Sequence, residues 1–294
     1  MAKQSKQALQ EKLAAQQNVL RRRAERKLRL INNWWVFVVG IFVVYIGLPF
    51  AAPTLMRVGA TGPANAIYTG YSLTCHQFAF RSLFLYGDQA FYPRQVAEGK
   101  GNLTAFEVYA AKSQKFRNIY TDEKRDTLRR EGHQAEAAAY VFNPDDLKTF
   151  DTTLQAAARR FRGDDEMGYK VAICQRDIMI YVGLVVGGIA YGPVRRRIRP
   201  CPLWLYLLLG VAPIALDGFS QLLSYPFPLI SSKGLWEVRE TAPAFRLLTG
   251  ALFGLMSAWL AFPYLNMSAE ESIRRIESDL DALDQEAQQL IKKV

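Results

Sequence analysis

The chain has 294 residues and a formal net charge of +10, with a mean hydropathy near zero. That length would suit one or two soluble domains, but the average conceals apolar blocks sharply separated from charged ones. Those blocks exclude a purely soluble protein.

In chain order, residues 1–33 read as a basic cytoplasmic helix with nine Lys or Arg against two acids. Leu9, Leu13, Leu20, Ala24 and Leu28 form a loose apolar seam along it. No charged side chain lies between Arg29 and Arg57, and an apolar run there exceeds the ~20 residues that a helix needs to cross hydrocarbon. Residues 34–56 are therefore the first transmembrane helix, opened by Trp34 and Trp35, which suit the membrane interface. A secretory signal is the competing reading, and it fits less well because the run is too long and begins too late.

Residues 57–87 read as an amphipathic segment on the outer leaflet, and they contain "SLTCHQFAFRSLF", which sets Cys75, His76 and Gln77 side by side. Residues 88–170 form a soluble helical insertion, rich in helix formers and alternating charge, with a turn at Gly99–Gly101 and a helix start at Pro144. Residues 171–194 and 200–223 are the second and third transmembrane helices. Their uncharged cores are short, so each borrows flanking residues, 171–173 in one case and 219–223 in the other. Gly183, Gly187, Gly188 and Gly192 would let a neighbouring backbone approach closely, or they are merely tolerated in a membrane helix. Residues 244–266 are the fourth transmembrane helix. Residues 268–294 form a C-terminal helix in which Ile273, Ile276, Leu280, Leu283, Ala287, Leu290 and Val294 alternate spacings of three and four, a coiled-coil seam.

The fold class expected is thus an all-α integral membrane protein with four transmembrane helices, an extracytoplasmic helical insertion and cytoplasmic helical tails. The basic tail and the "RRRIR" link at 195–199 belong inside. Both termini are then cytoplasmic in a multi-pass cell-membrane protein, and 57–170 and 224–243 face outward. The N-terminal tail is basic and residues 266–294 are net acidic. The two tails can pair with each other, associate with a second copy or a protein partner, or, for the basic one, lie on anionic headgroups. Partners expected are the lipid bilayer and a protein bound through these helices, with no nucleic acid.

This topology gathers the polar residues of the apolar half on one leaflet. Cys75, His76, Gln77, Arg81 and Ser82 follow the first span; Cys174, Arg176 and Asp177 precede the second. Asp217, Gly218 and Gln221 end the third, and Arg239, Glu240, Arg246 and Thr249 lead into the fourth. Ionisable groups at such depth are costly unless paired, which makes them candidates for function or for an internal ion-pair network.

The runs "CHQFAFRSLF", "CQRDIMIYVG" and "LDGFSQ", with an arginine ahead of "LTG", resemble the prokaryotic membrane protein family called domain of unknown function twenty eighty-five. The likeness covers roughly 64–86 and 171–255 and marks Cys75, His76, Gln77, Arg81, Ser82 and Cys174. It also marks Arg176, Asp217, Gly218, Gln221, Arg246, Thr249 and Gly250. It implies a membrane fold and a common polar site, with no activity to transfer. The chain departs from the family pattern at Asp177, where a second cysteine is usual, and in the long insertion at 88–170.

Cys75, His76, Cys174 and Asp177 are of the kinds that zinc or another transition metal accepts. Adjacent ligands need an irregular backbone, since neighbouring side chains on a helix point about 100° apart. Cys75 and Cys174 could instead form a disulfide in an oxidising exterior, or stay unlinked as small hydrophobes. Three function classes remain: a membrane subunit or scaffold with a polar outer site, a metal-dependent enzyme or metal handler, and small-solute transport. No complete catalytic motif is present.

Overall fold

The computed structural model describes residues 2–97, 99, 101–195, 197–224 and 238–293, and the side chains of 11, 14, 15 and 17–289 within them. The seam side chains of Leu9, Leu13, Leu290 and Val294, the arginine at 196 and most of the link 224–243 lie outside that description.

Helix α1 (Ala2–Asn32) is followed directly by α2 (Trp34–Arg57) and then by α3 (Thr61–Tyr71). A short 3-10 turn leads into β1 (Ser82–Leu85). The insertion holds α4 (Phe106–Lys112), α5 (Gln114–Arg130), α6 (Gln134–Ala139), α7 (Thr152–Arg160) and β2 (Gly163–Asp164). Strand β3 (Gly168–Cys174) feeds α8 (Gln175–Val194), and α9 (Leu203–Ser224) and α10 (Pro243–Lys293) complete the described chain. Four of these helices, α2, α8, α9 and α10, are long and apolar enough to cross a membrane.

The fold is mostly helical, with four candidate membrane-spanning helices, which fits the expected all-α membrane class, and it carries one small antiparallel sheet in the order β1, β3, β2. Gly163 (φ +114) and Gly168 (φ +72) fold β2 onto β3, and a Cβ at either would meet backbone within 2.2 Å. Val171, Ala172 and Ile173, expected to extend the second span, are buried in β3 instead, and the helix starts at Gln175. β-branched residues suit a strand packed on both faces. Finally, the fourth span and the C-terminal helix are one uninterrupted helix of 51 residues.

Helices α8 and α10 approach through glycine. A Cβ on Gly254 would lie 2.1 Å from the Ile180 carbonyl oxygen, one on Gly183 would lie 2.8 Å from the Leu255 nitrogen, and one on Gly187 would strike the Ala258 methyl at 2.5 Å. Helix α2 docks on the same helix, with Val39 over Gly188 and the Trp35 ring over Gly192. Small residues therefore set the interhelical distance, as van der Waals packing in lipid requires.

Prolines inside the spans leave carbonyls without a helical donor, and at Pro49 and Pro263 neighbouring chain takes the carbonyl up. Pro49 frees the Tyr45 carbonyl, which accepts from Tyr71 Oη at 2.7 Å. Pro263 frees the Trp259 carbonyl, which accepts from the Cys201 amide at 3.3 Å.

Beyond the span, α10 runs alongside α1, joined by the ion pair Arg21–Asp284 at 2.6 Å. The seam residues Ile273, Ile276 and Leu280 are half-buried and Ala287 is buried, while Leu283 is exposed. On α1, Ala24 and Leu28 are half-buried and Leu20 is exposed.

Since the Gly254 contact is with backbone, no rotamer change relieves it. Gly254→Val should destabilise the bundle by at least ~2 kcal/mol, read as a lower melting temperature of the detergent-solubilised protein. An unchanged melting temperature would show that α8 and α10 do not pack at this distance.

Candidate functional site

The Cys-His-Gln triplet begins where α3 stops, with the Cys75 amide donating to the Tyr71 carbonyl at 3.0 Å. Gln77 adopts a left-handed backbone, φ 54, which costs energy for a residue with a Cβ and must be imposed from outside. A closed ring of hydrogen bonds imposes it. Lys170 Nζ donates to the Gln77 carbonyl at 2.6 Å, Gln77 Nε2 donates to the Tyr68 carbonyl at 2.8 Å, and Tyr68 Oη donates to the Lys170 carbonyl at 2.5 Å.

Lys170 is fully buried in β3. Its ammonium also donates to the carbonyls of Ala158 at 3.1 Å and Arg159 at 2.8 Å, in the last turn of α7, where the helix dipole favours a cation. Burial pulls the Lys170 pKa well down, and the three accepting carbonyls work against that by favouring the charged form.

Cys174 is extended (φ −78, ψ 161) and sits just ahead of α8. Its amide donates to Cys75 Sγ at 3.2 Å. Asp177, in the first turn of α8, completes a group whose ligand atoms all lie within 4.8 Å of one another: Cys75, Cys174 and Asp177. Both cysteines are free thiols, as is Cys201. The hydrogen bond with the Cys174 side chain, followed by burial, pushes the Cys75 thiol up from its ordinary pKa. His76 stands apart from this trio. It is exposed, and its ring lies 5.4 Å from that of Phe78.

Around the trio the expected polar residues converge. Asp217 accepts from Arg176, from Arg239 Nη2 at 3.3 Å and from Thr241 Oγ1 at 2.9 Å. Glu240, nearly fully buried, takes both Arg81 Nε at 2.9 Å and Arg81 Nη2 at 3.1 Å, and it also accepts from Arg246. Gln221 Oε1 accepts from Arg246 Nη2 at 3.2 Å and lies 3.0 Å from Thr241 Oγ1, whose single proton it shares with Asp217. The Arg81 guanidinium also lies over the rings of Phe78 and Phe80 at 5.3 and 5.5 Å. Among the described residues no hydrogen bond or ion pair reaches the Asp177 carboxylate.

A cavity of about 190 Å³ opens here, lined by Cys75, Cys174, Asp177, Arg81, Arg176 and Arg246, and also by His76 and Thr74. Three of the marked residues serve the scaffold instead. Ser82 Oγ donates to the Phe78 carbonyl at 3.0 Å, Thr249 Oγ1 donates back to Phe245 at 2.8 Å, and Gly250 lets α10 reach the Arg176 carbonyl, 2.5 Å from where a Cβ would sit.

Sequence reasoning missed Lys170, Tyr68 and Thr241. The signal for Lys170 was its place in the apolar run "YKVAIC", where a lysine must find buried acceptors.

Residues 165–260 match a family described as Predicted membrane protein (DUF2085). The matched stretch bears out the resemblance read from the motifs and carries Cys174, Asp217, Gln221, Arg246 and Thr249. Cys75 and its neighbours precede it. The uncharacterized protein MJ1492 of Methanocaldococcus jannaschii is 30% identical over 98 residues, 33% of this chain and 54% of that protein. The chain thus spans about half the length of this relative. No solved structure matches.

Lys170→Met would take the ammonium donor from two buried carbonyls and one partly buried carbonyl. It should cost at least ~2 kcal/mol and hasten proteolysis between residues 72 and 78. Lys148→Met, at an exposed lysine, should change stability by less than ~0.5 kcal/mol. Equal effects of the two substitutions would remove Lys170 as the anchor of the Cys-His-Gln loop.

Proposed function

We propose that this chain is a multi-span membrane protein that holds one soft transition-metal ion, zinc or a metal of similar preference, on Cys75, Cys174 and Asp177. The observation that carries the reading is the convergence of three ligand atoms from two distant chain segments within 4.8 Å of one another. The Asp177 carboxylate supports it, since it stays outside the ion pairs although Arg81, Arg176 and Arg246 wall the same cavity. Two thiolates and a carboxylate suit such an ion, and three protein ligands leave a fourth position open toward the cavity. His76 is not needed as a ligand.

The scaffold reading rests on the C-terminal seam. Helix α1 of the same chain runs alongside α10, which supports pairing of the two tails within one chain.

Elemental analysis of the full chain, purified in detergent under reducing conditions, should find about one metal ion per chain. Cys174→Ser and Asp177→Asn should lose it, and His76→Ala should keep it. Because both thiols must shed protons on binding, affinity should rise with pH between ~6 and ~8. Thiols that react only after reduction, with no metal, would replace this reading by a disulfide, and unbridged thiols without metal would leave neither.

The excess of Lys and Arg in residues 1–33 and 195–199 supports a cytoplasmic placement of both termini, with the cavity and insertion on the opposite face. A cysteine placed at Gln134 should then react with an impermeant maleimide in intact cells. Reaction only after permeabilisation would invert the topology.

A further inference from the structure

Two of the three candidate metal ligands are thiols, and their placement lets them react with each other as well as with an ion. The sulfur atoms of Cys75 and Cys174 lie within 4.8 Å of one another, and Cys75 Sγ already accepts from the Cys174 amide at 3.2 Å. A disulfide needs its sulfurs at ~2.0 Å, and one change of staggered well about a cysteine χ1 moves the sulfur by about 3 Å. Side-chain rotation is thus of the size needed to close the gap.

The backbones that carry the two thiols are held together by other groups. Lys170, on the strand that ends at Cys174, bonds the Gln77 carbonyl at 2.6 Å, and Tyr68, on the helix ahead of Cys75, bonds the Lys170 carbonyl at 2.5 Å. Neither contact uses a thiol or an ion, so both persist when an ion leaves. The sequence holds one more cysteine, Cys201. It is buried, and its amide bonds the Trp259 carbonyl, ~13 Å along α10 from Gly250, the residue that meets Arg176. Within one chain, Cys75 and Cys174 therefore have only each other. Both line the cavity, but Cys174 is half-buried and Cys75 is buried, which makes Cys174 the first to meet a reagent.

We propose that Cys75 and Cys174 form a thiol–disulfide switch whose oxidised state ejects the metal. The inference rests on the metal reading above and adds its regulation. The oxidant is a small-molecule disulfide such as oxidised glutathione. The Cys174 thiolate attacks it, forming a mixed disulfide and releasing one thiolate. The Cys75 thiolate then attacks the Cys174 sulfur, closes the bridge and displaces the second. The cysteines lose two electrons, the added disulfide gains them, and each released thiolate takes a proton from solvent. Asp177 is left as the one protein ligand, too few to hold a transition ion. Its place in the first turn of α8 lets the helix dipole stabilise the negative charge once the ion has gone. An external thiol runs the sequence backwards.

The test uses the full chain, purified in detergent under reducing conditions, freed of reductant and loaded with zinc. Oxidised glutathione should release about one zinc ion per bridge formed, with the zinc read by a chromogenic chelator and the Cys75–Cys174 bridge by peptide mapping. Reduction by a phosphine should restore zinc binding. Cys75→Ser should stop at a mixed disulfide on Cys174, and Cys201→Ala should behave as the unaltered chain. Asp177→Asn, metal-free by the reading above, should still form the bridge. Reduced protein that binds no zinc would defeat the metal reading and the switch with it. Protein that binds zinc but forms no bridge, or that keeps its zinc once bridged, would overturn the switch alone.

Discussion

Asp217 and Glu240 hold the membrane half of this protein together. Asp217 on α9 joins Arg176 of α8 to Arg239 and Thr241, and Glu240 joins Arg81, beside the first strand, to Arg246 of α10. Charges this close to hydrocarbon are costly unless they are paired. Every chain segment carrying one is thereby drawn to the same depth, and removing a single partner from such a buried pair costs ~3–5 kcal/mol. Apolar substitutes could supply equal stability, but they would not dictate which helix end meets which. Ion pairing here selects one arrangement of three helix ends and the turn before β1, and the cavity is the space that arrangement leaves.

The same economy governs the backbone. Prolines in lipid-facing helices would normally leave unsatisfied carbonyls. In this chain those carbonyls become attachment points: the Tyr45 carbonyl receives Tyr71 at the end of α3, and the Trp259 carbonyl receives the Cys201 amide at the start of α9. Glycines act in the opposite sense by removing bulk. Gly183, Gly187, Gly250 and Gly254 bring α8 and α10 into backbone contact, and so they carry Arg176 and Arg246 to the same cavity.

The insertion is joined to this arrangement through Lys170. Its ammonium spans the last turn of α7 and the carbonyl of Gln77, so the aromatic core around Phe80, Phe106, Phe116 and Phe161 is coupled to the loop that presents Cys75. A second buried cation stiffens that core. Arg94 bonds Glu107 at 3.1 Å and the carbonyls of Leu147 and Lys148, beside the Phe80 and Phe150 rings. The site's geometry therefore depends on a domain most of which precedes the stretch matched by the family.

Sequence by itself determined the four apolar spans and the gathering of the motif residues at one end of them. Both follow from composition: uncharged runs of sufficient length seek hydrocarbon, and charges collect where the runs stop. It also set Ile273, Ile276 and Leu280 on one face of a helix, because helical spacing is a local property. Only the tertiary structure decided that residues 171–173 form a strand, since a short apolar run reads equally as helix or strand until its neighbours are known. Tertiary contact likewise separated His76 from the two cysteines. Adjacency in sequence placed His76 beside Cys75, but the left-handed turn at Gln77, imposed by a lysine 93 residues away, buries one side chain and turns the other out to solvent. Long-range hydrogen bonds of that kind leave no periodic trace in a sequence.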